Sequence, residues 1–437
     1  MTTLSKKDSR TLLHSVTRLF SKNSLLIPTS IKDIPEKNYF ARKLRLQGDR
    51  VIYLTESGYE HFCKVVDVLD RTNFFSGLAE FSDIWTAWKR VVEKWLSEGQ
   101  EPVCADEIVQ AIAELIDQEV DVHTFLAPLF GMKLDGADSF PLGKMTVLHF
   151  STDTLDSAEV EHGHANITQL LEFSKNYLWL KGSANGTPIV SRKKFSEQAN
   201  LTVGVLAITA ASMYELGASG FRMGIVMSSE GTVGQSVWFS WQERELSLTT
   251  HYSSLCGGQL FPVNKALENE NETDMIRMIY RAFSILQSKD KTQLEEAIAR
   301  AVYWYSDAHR DPVLVMQLVK YWSCVEAFFS FEQEEITHAV SSGLASILVF
   351  GGFQFIQPSE YSALKKQIAH LYKLRSKAVH HGSHQHTSVQ EVTQFSQWVA
   401  WMIISMIGLV EQGYSTLKEV KEQTDRLDGL VERLRYK

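Results

Sequence analysis

Apolar and polar positions alternate with a period that changes along the chain. Three- and four-residue steps over Tyr59 to Leu69, Phe81 to Leu96 and Asp106 to Phe130 predict helices with one buried face. Arg50 to Leu54 alternates every second residue instead, which predicts a short strand. From 144 to 260 the pattern turns to β-type runs: Met145 to Phe150, Tyr177 to Leu180, Phe221 to Met227, Val237 to Trp241 and Leu246 to Tyr252. Asn185-Gly186 is a turn signal among them, and a helix over Leu201 to Leu216 is placed to cover one sheet face. A charged stretch of low apolarity, Asn264 to Thr273, precedes continuous helical patterning that begins near Asp274. The expected fold class is α+β. A mixed α+β N-terminal region spans 1–270, divisible into 1–143 and 144–270. An all-α bundle spans 274–415, and a helical tail spans 416–437.

Within the helical part, Asp311-Pro312 is a helix start: Asp caps free amides, and Pro in the first turn loses no hydrogen bond that the helix needs. Val315, Leu318, Trp322, Val325 and Phe329 then form one stripe, and Glu326, four residues after Trp322, falls on that face. The next helix, Tyr361 to about His381, has Tyr361, Leu364, Ile368, Leu371 and Ala378 as its seam. Arg375 occupies the seam position between Leu371 and Ala378, so its guanidinium is aimed inward. An unpaired buried charge costs several kcal/mol, so Arg375 needs an anionic partner or a cleft; Glu326 is the protein candidate and a phosphate the functional one. Ser388-Val389-Gln390-Glu391 reads as a capping box, and Gly382 as the end of the helix before it. The last helix has Val392, Phe395, Val399, Met402, Met406 and Leu409 as a seam, flanked by Trp398, Trp401, Ile403 and Ile407. Such all-round apolarity predicts burial on more than one side, as in a bundle that also dimerises.

Composition narrows the class. The chain of 437 residues is 44% hydrophobic and 22% charged, the usage of a globular protein of two or three domains, and 9 prolines leave little room for long disordered linkers. No apolar run of signal-peptide length follows Met1 to Arg10, and Trp398 to Val410 falls short of the ~20 residues that span a bilayer. A cytoplasmic protein without a membrane partner is expected. Cys63, Cys104, Cys256 and Cys324 lie far apart, which suggests neither a disulfide framework nor a thiolate zinc site. Neither a phosphate-cradling P-loop nor a dinucleotide fingerprint occurs, so no cofactor is expected.

A net charge of −8 is unsuited to coating nucleic acid non-specifically, so any such contact must be local. Tyr361 through Gln390 contains no Asp or Glu, while Lys365, Lys366, Lys373, Arg375 and Lys377 accompany His370, His380, His381, His384 and His386. The bland reading of this stretch is a solvated helix face; the sharper one is an anion site.

From Leu371 to Gly382, Leu-Tyr-Lys-Leu-Arg-Ser-Lys-Ala-Val-His-His-Gly, the sequence resembles the Apea-like branch of the HEPN superfamily, whose motif is an Arg, four to six residues, then a His. Arg375 and His380 enclose four residues, and His381 gives a spacing of five. Trp322 to Phe329 is similar to that family's glutamate-bearing helix. The resemblance covers about a quarter of the chain. It implies a HEPN-type bundle of four or five helices that dimerises through the C-terminal helical domain. Two Arg-His motifs then form a metal-independent endoribonuclease, and the products are a 2′,3′-cyclic phosphate and a 5′-hydroxyl. Arg375 and His380 are the implied catalytic pair, with Glu326, Ser376 and His381 supporting and Lys373 and Lys377 contacting RNA. A neutral imidazole suits removal of a 2′-hydroxyl proton, and a permanent guanidinium suits a phosphate whose charge grows.

Helical geometry adds a condition, because His380 lies about 140° from Arg375 around an ideal helix and His381 about 120° the other way. Either the helix end near Gly382 is distorted, or a second subunit completes the site. An intramolecular Arg375–Glu326 salt bridge and a helix-end histidine facing terminal carbonyls are sufficient structural explanations of the same residues. The histidine cluster lacks the Cys, Asp or Glu that completes a familiar metal set. The expected function is an RNA-cutting effector of antiviral defence or a toxin, with transfer RNA a candidate substrate and a phage-derived or regulatory trigger sensed by the N-terminal region. The alternative is a non-catalytic dimerisation or RNA-binding module of a larger assembly.

Overall fold

The computed structural model describes residues 4–28, 35, 37–48, 50–150, 178–213, 222–225, 236–241, 248–253, 260–268, 274–329, 336–381 and 387–435. They fall into two compact units, one of 1–125 with 183–195, the other of 126–182 with 196–437.

In the first unit, capping side chains start the helices. Ser5 Oγ accepts from the Asp8 amide ahead of α1 (Lys6–Leu19), and Thr55 Oγ1 accepts from the Gly58 amide at the start of α3 (Glu56–Arg71). Between them lie β1 (Leu25–Leu26), α2 (Tyr39–Arg42), β2 (Lys43–Arg45) and β3 (Val51–Leu54), and the strands pair antiparallel in the order β1-β3-β2. α4 (Phe81–Glu98) and α5 (Ala105–Asp117) complete the layer, around a core that includes Leu12, Phe62, Val66, Trp88 and Ile112. Asp83 shares a capping box with Glu80 and also accepts from Thr187 Oγ1 at 2.8 Å, which fastens the 183–195 segment to this unit.

The helix expected over Asp106 to Phe130 is two elements. α5 stops at Asp117, and 121–130 is a strand, β4 (Asp121–Phe130). Val122 and Thr124 are β-branched and Pro128 has no amide to donate to a helix, so the apolar period alone misled. The later strands are β5 (Met132–Lys133), β6 (Ser139–Leu142), β7 (Met145–His149) and β8 (Leu178–Gly186). After α6 (Pro188–Met213) come β9 (Gly224–Ile225), β10 (Ser236–Trp241), β11 (Leu248–Ser253) and β12 (Phe261–Pro262). One sheet has the order β6-β7-β8-β4-β9; β10 and β11 form a separate antiparallel hairpin. Asn185-Gly186 closes β8 rather than a hairpin, with Gly186 at φ 150° just before α6. Of the Phe221 to Met227 run, Gly224–Ile225 is strand, and Phe221, Val226 and Met227 lie outside the described residues.

Among the described residues, the helices that follow are α7 (Val263–Leu267), α8 (Asp274–Gln287), α9 (Gln293–Arg310), α10 (Leu314–Phe329), α11 (Ile336–Phe350), α12 (Tyr361–His381), α13 (Val389–Glu411) and α14 (Leu417–Arg435). The unit division does not fall at the expected 264–273 break. The reason is packing: α6 runs so close to α9 that a Cβ on Gly204 would stand 2.8 Å from the Val302 carbonyl oxygen. Nearby, the buried His309 on α9 accepts from the Met223 amide at 3.2 Å. Burial pushes the His309 pKa down to about 3, with Arg222 and Arg310 adding to the effect.

α13 is the one described helix long and apolar enough to cross a membrane, and 67% of that stretch is buried inside the protein. It packs against α8, α9, α10 and α11, and Trp401 stacks on Phe355 with ring centroids 4.7 Å apart. The all-round apolarity of α13 is thus accounted for within one chain, and it gives no independent support to a dimer. Buried Asp428 of α14 accepts from Tyr361 Oη at 2.7 Å and from Lys365 Nζ at 2.9 Å. Burial alone would raise the Asp428 pKa, but these donors hold its carboxyl below the usual range.

Candidate functional site

The site is built by α10, α12 and α13. The expected helix start at Asp311-Pro312 falls in the connection instead: Asp311 closes α9 as its C-cap and its Oδ1 accepts from the Val313 amide at 2.8 Å, while α10 begins only at Leu314. On α10, Trp322, Val325 and Phe329 are buried, and Glu326 lies at the edge of that face with 21% of its side chain exposed. On α12, Tyr361, Leu364, Ile368 and Leu371 are buried in the expected seam, and Arg375 continues it with 20% exposure.

The structure joins the two charged residues. Arg375 Nη2 reaches Glu326 Oε1 at 2.9 Å and Oε2 at 3.0 Å. A single nitrogen straddles both carboxylate oxygens, so this is not the parallel two-nitrogen fork of a strong arginine–carboxylate pair. Arg375 Nε is buried and has no acceptor among the described residues. The guanidinium carbon lies 5.6 Å from the Tyr372 ring centroid, within cation–π range. Tyr372 meets Trp322 edge-on at 5.0 Å, and Trp322 packs on Phe395 of α13 at 4.6 Å. An aromatic wall therefore fixes the arginine.

That wall also sets the electrostatics. Burial pushes the Glu326 carboxyl above its ordinary value, against the pull of Arg375. The Tyr372 phenol is raised by burial and by Glu326, again opposed by Arg375.

His380 stands apart from this cluster. α12 is α-helical through His381, and His380 is exposed. On a regular helix the five-residue step turns His380 about 140° away from Arg375. Of the two routes open to the sequence, a distorted helix end is not present up to His381. Ser376 is half-buried next to Arg375, and Lys373 and Lys377 are exposed. The His381 side chain, Gly382, His384 and His386 lie outside the described residues. Among the described residues no three His, Cys, Asp or Glu side chains are grouped to hold a metal ion.

Some contributors were given no role in the site from sequence. Tyr372 precedes Arg375 by three residues and Trp322 precedes Glu326 by four, spacings that place each pair on one helical face. Glu391 is another. It closes the predicted capping box with Ser388 and also faces His370 Nε2 at 3.4 Å. Burial would raise its pKa, but the Ser388 donors and His370 hold it below the usual carboxylate range.

Comparison with protein-family models, with curated proteins and with solved structures finds no match to this chain.

Proposed function

We propose that the helical part of this chain is a HEPN-type, metal-independent endoribonuclease in which Arg375 holds the scissile phosphate and His380 acts as the base. The observation that carries the reading is the placement of Arg375. A permanent cation, one-fifth exposed, sits at the edge of the buried seam against an aromatic wall, at the motif position that the resemblance assigns. In the reaction, the His380 imidazole takes the 2′-hydroxyl proton, the 2′-oxygen bonds to phosphorus, and the bond to the 5′-oxygen breaks. The 5′-oxygen leaves with a proton taken from water, and the His380 imidazolium returns its proton to solvent. Arg375 stabilises the charge that builds on the phosphate oxygens.

The regular helix favours a composite site, with Arg375 from one copy and His380 of the partner subunit. Incubation of RNA with the full chain should give 2′,3′-cyclic phosphate ends in the presence of EDTA. Arg375→Ala and His380→Ala should each lose at least about a hundredfold in rate, the usual scale for an acid–base or electrostatic group. Mixing the two inactive variants is the sharper arm. A composite dimer regains about a quarter of the activity, because half of the dimers are mixed and each mixed dimer has one intact site. Wild-type cleavage by the double variant ends the proposal.

A second reading is favoured by the Glu326 contact, because a guanidinium already neutralised by its own chain is what a structural pin requires. In that case the domain is a non-catalytic dimerisation or RNA-binding module. RNA binding without cyclic phosphate products identifies it.

A further inference from the structure

α12 presents two faces of opposite kind. Its inner seam runs Tyr361, Leu364, Ile368, Leu371, Leu374, and its inward cations are neutralised, Lys365 by Asp428 and Arg375 by Glu326. On the outer face Lys366, His370, Lys373, Lys377 and His380 are all exposed. Their steps of four, three, four and three residues keep all five within an arc of about 80°. The row extends about 21 Å along the helix axis, with a basic side chain every 4.5 to 6 Å or so.

Three features distinguish this row from an ordinary solvated face. Solvated helix faces mix both signs at three- and four-residue steps, because opposite charges there stabilise the helix. Here no acid occurs from Tyr361 to Gln390, and like charges are stacked at those same steps. Among the described residues, Lys366, Lys373 and Lys377 take part in no ion pair; only His370 has an acidic neighbour, Glu391. Finally, the chain as a whole carries −8, so a basic row of this length is a local exception that repels other cations and draws a polyanion to one line.

We infer that this row is a binding track for the backbone of single-stranded RNA, running from the His380 end of α12 back to Lys366. The inference rests on the nuclease reading of α12, and it extends the RNA footprint well beyond the Arg-His motif. A single strand fits better than a duplex. The row is narrow, straight and convex, and a flexible strand can follow it from end to end. An A-form duplex has a deep, narrow major groove that excludes a helix face, so it meets such a row only where its rim crosses. The basic groups bind as point charges, so the track reads the backbone and not the bases.

The test measures binding of the full chain to a short labelled single-stranded RNA, 2′-O-methylated so that its own hydroxyl cannot attack, as a function of salt. Each lysine that contacts a phosphate adds about 0.7 to the slope of log K against log salt for a single strand. Lys366→Gln, which leaves the motif untouched, should lower the slope by about 0.7, and the triple variant with Lys373→Gln and Lys377→Gln by about 2. Lys418→Gln on α14 should leave it unchanged. The substituted side chains are exposed, and unchanged thermal unfolding checks that the variants are folded. The track is wrong if the triple variant binds with the wild-type slope, if wild type does not bind the RNA, or if the lysines matter for phosphatidylserine vesicles and not for RNA. Cleavage that needs Arg375 and His380, with lysine variants binding normally, refutes the track alone. Lysine-dependent binding with no cleavage by wild type refutes the nuclease alone.

Discussion

Arg375 and Glu326 are each about four-fifths buried, which sets the strength of their pairing between two limits. Exposed pairs contribute at most about 1 kcal/mol, whereas breaking a fully buried one costs about 3–5 kcal/mol. Glu326→Gln should therefore destabilise the protein by about 1–2 kcal/mol in urea unfolding. The double variant with Arg375→Gln should cost no more than the single one, a coupling that a double-mutant cycle reads directly. Additive losses would show that the two side chains act separately. The pairing was legible in the sequence, because each residue occupies an apolar seam where a lone charge is untenable. Tyr372 was less legible: its spacing permits a contact with Arg375, but only the packing of Trp322 and Phe395 turns its ring toward the guanidinium.

At the scale of elements, close approach matters more than propensity. Glycine costs a helix interior about 1 kcal/mol relative to alanine, so Gly→Ala stabilises wherever there is room. Gly429 on α14 has open space around it, and Gly429→Ala should raise stability by up to about 1 kcal/mol. Gly204 on α6 is the opposite case. Its Cβ would meet the Val302 carbonyl oxygen at 2.8 Å and the Ser306 Cβ at 3.0 Å, and a backbone oxygen cannot move aside as a flexible side chain does. Gly204→Ala should lose about 1–3 kcal/mol in spite of the propensity gain. Equal unfolding midpoints for the two variants would overturn this account of the α6–α9 contact. The same contact explains why the charged stretch at 264–273 is not a boundary of the compact units. Composition marks a change of local pattern, whereas a compact unit is defined by which faces bury one another.

For the molecule as a whole, one source of pH dependence is His309. Its folded-state pKa, about 3, lies far below the ordinary histidine value near 6.5. The unfolded chain therefore binds a proton that the folded chain refuses. Its stability contribution is complete above about pH 6.5 and is lost as the pH falls toward 3. Wild-type stability should decline progressively across that window, and His309→Gln, which cannot take up the proton, should show a shallower decline. Parallel pH profiles would assign the acid sensitivity to other groups. His309 gave no such signal in the sequence. It lies in the last turn of α9, where a histidine ordinarily faces free carbonyls, and its burial depends on Met223, a residue 86 positions earlier.

The sequence by itself determined the helical elements from Asp274 onward, the capping box at Ser388 and Glu391, the inward aim of Arg375 and Glu326, and the basic row on α12. Each follows from local spacing, because 3.6 residues per turn fixes which side chains share a face. Tertiary structure alone decided that 121–130 is a strand, that α6 packs on α9, that α13 is covered within its own chain, and that His309 is buried. These outcomes depend on which distant surface comes to lie against each element, and that contact is set by shape and burial across the whole unit.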